Sequence, residues 1–167
     1  MKRTIMPELI IDREFKNLIP PLSRSEYLQL EENITVEGCR EPIITWNGII
    51  VDGHNRYEIC TRHNIVFSIK EKDFDCREAA IAWICANQLG RRNVTEETRK
   101  FLIGMQYESA KIAAKFRNAQ GLNQYTKATP KQDVPSQYTG RRLAEQQHIS
   151  PGTVQKYAEY TRALEAI

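Results

Sequence analysis

A chain of 167 residues is long enough for one ordinary domain, or for a small domain with a helical appendage. Hydrophobic residues make up 41% and charged residues 27%, a globular mixture that excludes a wholly disordered chain. The net charge of +3 is unevenly spread: residues 1–90 hold 11 Lys/Arg and 14 Asp/Glu, a balance of −3, while residues 91–167 hold 13 and 7, a balance of +6. A basic rear half suits contact with phosphate backbones. The longest apolar runs, Ile43-Ile44-Thr45-Trp46 and Ile49-Ile50-Val51, are far too short to cross a bilayer. Met1 to Glu8 lacks the apolar core of a secretory signal. The cysteines, Cys39, Cys60, Cys76 and Cys85, form no CxxC pair, so they read as thiols of a reducing cytosol and not as a zinc site.

Taken along the chain, Ser23 and Glu26 have capping-box spacing ahead of Tyr27, Leu30 and Ile34, which predicts a short amphipathic helix. Pro42 to Trp46 and Ile49 to Val51 are β-rich runs separated by Asn47-Gly48, a dipeptide that tolerates the positive φ angles of a tight hairpin. After Asp52-Gly53-His54-Asn55-Arg56-Tyr57 a helix is expected to about Arg62, then a strand from Ile65 to Ile69. Asp75 and Glu78 form a second capping-box pattern before a helix from Ala79 to about Leu89. The resulting order is α-β-β-α-β-α. Thr95, with Glu96 and Glu97 behind it, starts a longer helix carrying Phe101, Met105, Ile112 and Phe116 near one face. Asn118 to Gly140 has little periodicity and reads as a long loop. Trp46, Phe67, Trp83 and Phe101 are expected in the core, and His63 at a surface turn.

The last segment carries a helix-turn-helix pattern at about 141–158. Ala144, Ile149, Val154 and Tyr157 supply the small residue at the helix crossing and the apolar residues of the turn and inner face. Ser150 suits an N-cap and Pro151 a first helical turn. Ser150, Gly152, Thr153, Gln155 and Lys156 then stand at the start of a recognition helix, with Arg141 and Arg142 on the helix before it, as candidate contacts to double-stranded DNA. His148 occupies the turn position where glycine is common. An ordinary helical hairpin packed on the core is the other reading.

Gly53-His54-Asn55-Arg56 sits where a strand passes into a helix. Gly53 permits close approach, the following amides point out of the helix N-terminus, and Arg56 adds a fork of donors, which together suit a phosphate. Asp52 is placed to hold a cation or orient a nucleotide. A sharp structural turn with Arg56 paired to a carboxylate is the alternative. Asn87, Arg91 and Arg92, in the run Asn87 to Thr95, are further candidates for phosphate binding. No Ser-His-Asp or Cys-His arrangement is visible, and no catalytic residue or metal ligand set is assigned.

In combination, Gly38-Cys39-Arg40-Glu41-Pro42-Ile43, Ile50-Val51-Asp52-Gly53-His54-Asn55-Arg56-Tyr57, Asn87 through Thr95 and the terminal helix pair resemble the ParB/sulfiredoxin superfamily, over roughly residues 8–167. More narrowly they are similar to ParB-like proteins of chromosomes, plasmids and phages. The resemblance implies an α/β (α+β) fold: a small ParB/sulfiredoxin-like mixed-sheet domain over 1–92, then an all-helical DNA-binding region over 93–167. In partition proteins of this family the box binds the triphosphate of CTP with Mg2+. By match, Gly53 and Arg56 would contact phosphates, and Asn87 with Arg91 or Arg92 would help bind phosphate and magnesium. The chain departs from the family at Asn55, where arginine is usual, and at Ala86, where a glutamate commonly precedes the asparagine. Its arginines also lie four and five residues after Asn87 instead of three. Sulfiredoxin uses a cysteine inside its box, and this box has none.

The expectation is a cytoplasmic, nucleoid-associated DNA-binding protein with a partition-like or transcription-regulating role, controlled by CTP or another nucleotide and acting as a homodimer without membrane contact. The alternative is a nucleotide-dependent phosphotransferase or nucleotide hydrolase of the same fold.

Overall fold

A computed structural model describes residues 6–91, 94–120 and 136–167, the side chains of residues 136–138 excepted. The chain forms two compact units that divide between Asp73 and Phe74.

The first unit holds α1 (Arg13–Asn17), α2 (Arg24–Glu37), β1 (Ile43–Trp46), β2 (Ile49–Asp52), α3 (His54–His63) and β3 (Ile69–Glu71). Ser23 closes the expected capping box with Glu26 at the start of α2. Asn47 and Gly48 both take positive φ, 49° and 77°, and join β1 to β2 as an antiparallel hairpin. β3 then pairs parallel to β1, with Ile43 opposite Ile69, so the mixed sheet runs β2-β1-β3. Ile43, Ile50, Val51, Phe15 and Ile59 are all fully buried, and Ile59 packs with Ile34 and Cys60. Phe15 lies tilted against Trp46, with ring centres 6.3 Å apart.

The third strand begins four residues later than the sequence suggests. Asn64 ends α3 in the left-handed region, φ 52°, and the Ile65 amide closes back onto the Cys60 carbonyl at 2.9 Å. Ile65 and Phe67 consequently pack inward on Ile34, Ile59 and Cys60, and pairing with β1 waits until Ile69. There the Glu71 carboxylate accepts from the buried Thr45 hydroxyl and from the Asn47 amide, which ties β3 to the hairpin.

The second unit holds α4 (Arg77–Leu89), α5 (Glu96–Ala119), α6 (Ser136–Gln147) and α7 (Pro151–Glu165). Asn118 and Ala119, expected in a loop, belong to α5, and residues 136–140 belong to α6; residues 121–135 lie outside the described residues. α4 packs along α5 and so groups with the helices, whereas the sequence reading placed the division after residue 92. Asp75 is not its N-cap. Cys76 takes that position without a side-chain cap bond, and the Asp75 carboxylate instead accepts from Arg117 Nε and Nη2 at 2.9 and 2.7 Å. Thr95 caps α5 as expected.

Burial on α5 is concentrated between Leu102 and Ser109. Of the stripe read from the sequence only Met105 is buried; Ile112 and Phe116 are exposed. The reason is that α5 is gripped on two sides, by α4 and by α7, so its buried face is broad near Gly104 and narrows beyond Ser109. Trp46, Phe67, Trp83 and Phe101 are each half-buried, at the margins of the core and not within it.

Gly104 marks the tightest crossing. A Cβ there would lie 2.3 Å from the Tyr157 carbonyl oxygen and 2.2 Å from Thr161 Oγ1, while that hydroxyl donates to the Phe101 carbonyl at 3.1 Å. Gly104→Ala is therefore expected to destabilise the protein by about 2 kcal/mol or more, because backbone must move to admit the methyl group. Gly90→Ala is the matched control. Gly90 has φ −73° and its Cβ would meet only the Asn87 carbonyl, at 3.5 Å, so chemical unfolding should show little change.

Candidate functional site: a strand-to-helix turn and a terminal helix pair

Gly53 is the N-cap of α3, with φ 96° and ψ 23°. This left-handed geometry reverses the chain directly from β2 into the helix and leaves the first amides of α3 without partners within the helix. Glycine serves a second purpose here. Arg56 folds back over the turn, and a Cβ at Gly53 would stand 3.0 Å from Arg56 Nη2.

The Arg56 guanidinium is held by its own neighbourhood. Nη2 donates to the Pro42 carbonyl at 3.2 Å and to Asp52 Oδ2 at 3.3 Å, and Nη1 lies 3.4 Å from Glu41 Oε2. Its Nε is buried with no hydrogen-bond partner among the described residues. The same is true of both ring nitrogens of His54, the first residue of α3. Each such atom costs roughly 1–3 kcal/mol when left unsatisfied. Asn55 is half-buried on the same turn.

His54 is 6% exposed, and burial pulls its pKa down to about 4, partly opposed by Asp52 and Asp12 and assisted by Lys16. The imidazole is neutral at pH 7, so it offers one donor and one acceptor but no charge.

The second segment read as phosphate-binding lies in the other unit. Asn87 is half-buried near the end of α4 and Arg91 is exposed just beyond it; Arg92 lies outside the described residues. Gln88 was not singled out by the sequence, yet it is almost completely buried with both amide atoms unsatisfied among the described residues. An isolated glutamine on an apolar helix gives no sequence signal for this.

The terminal helix pair is present. Ser150 caps α7 by accepting from the Thr153 amide at 3.1 Å, and Pro151 occupies the first turn. His148 adopts φ 56°, and the Ile149 amide closes onto the Ala144 carbonyl at 3.0 Å. Ala144 and Val154 are buried at the crossing, while Ile149 and Tyr157 are half-buried. Gly152, Gln155 and Lys156 are exposed on the first turns of α7.

Two of the residues proposed to contact DNA have other work. The hydroxyls of Ser150 and Thr153 lie 2.8 Å apart and serve the cap. The arginines of α6 also diverge. Arg141 lines a depression with Ala144, Glu145, His148, Ile149 and Pro151, beside the start of α7. Arg142 lines a groove of about 410 Å³ whose floor is formed by alanines of α4 and α5.

No family model matches the sequence, and no curated protein matches it. Among solved structures the chain is similar to a Pnob8-like ParB-N domain, with a TM-score of 0.61 and 19% identity. The similarity covers 89% of this chain and 64% of that one, so the chain spans somewhat under two thirds of its neighbour. The fold is thus that of a ParB-N-like α+β domain, a small mixed sheet with a helical region. Among the described residues no helix is long and apolar enough to cross a membrane.

The buried His54 predicts a pH dependence. An unfolded histidine protonates near 6.5, whereas the folded one resists protonation until about 4, so the unfolded state binds the extra proton in between. Stability present above pH 6.5 falls as pH drops toward 4, by about 2 kcal/mol between pH 7.5 and pH 5. Denaturant midpoints at these two pH values should converge in His54→Gln relative to the native chain.

Proposed function

We propose that this chain is a partition-like DNA-associated protein that engages double-stranded DNA through α6 and α7. The observation that carries the reading is the helix pair itself. A capped α7 presents Gly152, Gln155 and Lys156 to solvent, and a left-handed His148 and buried Ala144 and Val154 fix its angle to α6. Arg141 flanks the start of α7, and residues 91–167 carry the chain's positive excess. The similarity to a ParB-N domain supports the partition-like sense of the reading. One helix pair offers a small contact area, so a homodimer reading two half-sites is part of the proposal.

The Gly53 turn is proposed as the phosphate site of a nucleotide, with CTP as the first choice. Support comes from the first amides of α3, which receive no side-chain cap from Gly53, from an Arg56 Nε without a partner among the described residues, and from the glycine that lets Arg56 lie over the turn. In this reading a phosphate takes over Arg56 from Glu41 and Asp52, and Asp52 stands beside the turn as a carboxylate for a Mg2+ ion carried by the nucleotide. A nucleotide-bound magnesium needs only one or two protein carboxylates. Asn87, Arg91 and Arg92 are assigned no geometry in this site.

Fluorescence anisotropy with labelled duplex DNA at several salt concentrations tests the first claim. Lys156→Ala should weaken binding to all sequences alike and reduce the salt slope by about 1. Absence of binding at low salt, or an unchanged slope in the variant, would overturn the role given to α7. Calorimetric titration with CTP, ATP, GTP and ADP plus Mg2+ tests the second. Saturable CTP binding that disappears in Arg56→Ala is expected, and no binding by any of the four would remove the nucleotide from the proposal.

A further inference from the structure

The loop from α2 into β1 runs across one face of α3. Gly38 ends α2 with φ 81° and turns the chain so that Cys39 packs against Ile34, Ile59 and Cys60. Cys60 lies one helical turn after Arg56 and is fully buried, within the cluster of Ile34, Ile59 and Cys60 against which Cys39 packs. Cys39 is half-buried, and its thiol donates to the Glu41 carbonyl at 3.4 Å. Glu41 and Pro42, next along the loop, both hold the Arg56 guanidinium. The two thiols and the anchors of Arg56 therefore belong to one patch of structure.

We propose that Cys39 and Cys60 are an oxidisable pair, at which a hydroperoxide closes a disulfide between the loop carrying Glu41 and the helix carrying Arg56. Cys39 is the more accessible partner and reacts first. With hydrogen peroxide its sulfur attacks one oxygen, the O–O bond breaks, and Cys39 sulfenic acid and water result. The Cys60 sulfur then attacks the Cys39 sulfur, the S–O bond breaks, and hydroxide leaves with the Cys60 proton as a second water. Two thiols give up two electrons and one peroxide accepts them. Burial pushes the Cys60 thiol up to about 12, so the second step depends on the packing of Cys39 against the cluster that holds Cys60 and not on a standing thiolate. Closure also removes the S–H group that donates to Glu41. That consequence for the Arg56 site rests on the phosphate reading of the Gly53 turn; the bridge itself does not.

The full chain, reduced and then exposed to graded hydrogen peroxide, is alkylated, digested and mapped by mass spectrometry. The expected product is a Cys39–Cys60 linked peptide lighter by two hydrogens than the separate thiols. It should be reversible with dithiothreitol and absent in Cys39→Ser, while Cys76 and Cys85 remain alkylated. Unreacted thiols, over-oxidation of Cys39 without a link, or a link to Cys76 or Cys85 would each overturn the pair. A CTP titration of the reduced and bridged forms separates the two layers. A severalfold change in affinity supports control of the Arg56 turn by the bridge, and equal affinity overturns that control. A bridge that forms in a protein binding no CTP in either state leaves the thiol pair standing and removes the phosphate reading.

Discussion

The second unit depends on how closely α7 can approach α5 at Gly104. The Tyr157 carbonyl sits where any other residue would carry its β-carbon, and Thr161 turns its hydroxyl back onto the Phe101 carbonyl of the opposing helix. A buried hydroxyl placed between helices needs such an acceptor. The contact fixes the line of α7, and α6 packs on it with Ala144 and Val154 buried. Arg99, which donates to Gln147 at 3.2 Å, adds a directional tie from α5 to the end of α6. The exposure of Gln155 and Lys156 is thus an outcome of packing on the far side of the same helix.

The first unit uses its arginine in a comparable way. Arg56 is neither a solvated cation nor fully paired. It is clamped by one carbonyl and two carboxylates at 3.2–3.4 Å, with its Nε unsatisfied among the described residues. These are long contacts for charged groups, so little is lost when an anion with better geometry displaces them. A left-handed glycine without a side chain is what allows the guanidinium to rest there.

Much of this was legible in the chain because local chemistry dictated it. The Ser23 box, the Asn47-Gly48 hairpin, the Thr95 and Ser150 caps and the left-handed His148 each arise from interactions within a few residues. What was missed depends on distant partners. Asp75 looks like a cap until Arg117, 42 residues away, claims its carboxylate. The start of β3 was misplaced because Ile65 and Phe67 are drawn into the core by Ile34, Ile59 and Cys60. Ile112 and Phe116 share a helical face with Met105, but periodicity says nothing about where a neighbouring helix stops. At the site, the glycine and arginine of the turn could be read directly. The pairing of Arg56 with a carboxylate was one of the two readings of the turn, and the structure shows it with Asp52 and Glu41. The neutral state of His54 could not be read, because it follows from burial.

The double attachment of Glu71 bears on the order in which the sheet assembles. β1 and β2 are joined by two residues and can pair within microseconds, whereas β3 meets β1 only once the longer chain between Ile43 and Ile69 has closed. Glu71 accepts bonds from Thr45 and Asn47, which the hairpin has already brought together. Interactions made late in assembly slow the reverse reaction more than they speed the forward one. A single carboxylate on a three-residue edge strand therefore acts as a latch on the lifetime of the sheet, while the hairpin governs how quickly it appears.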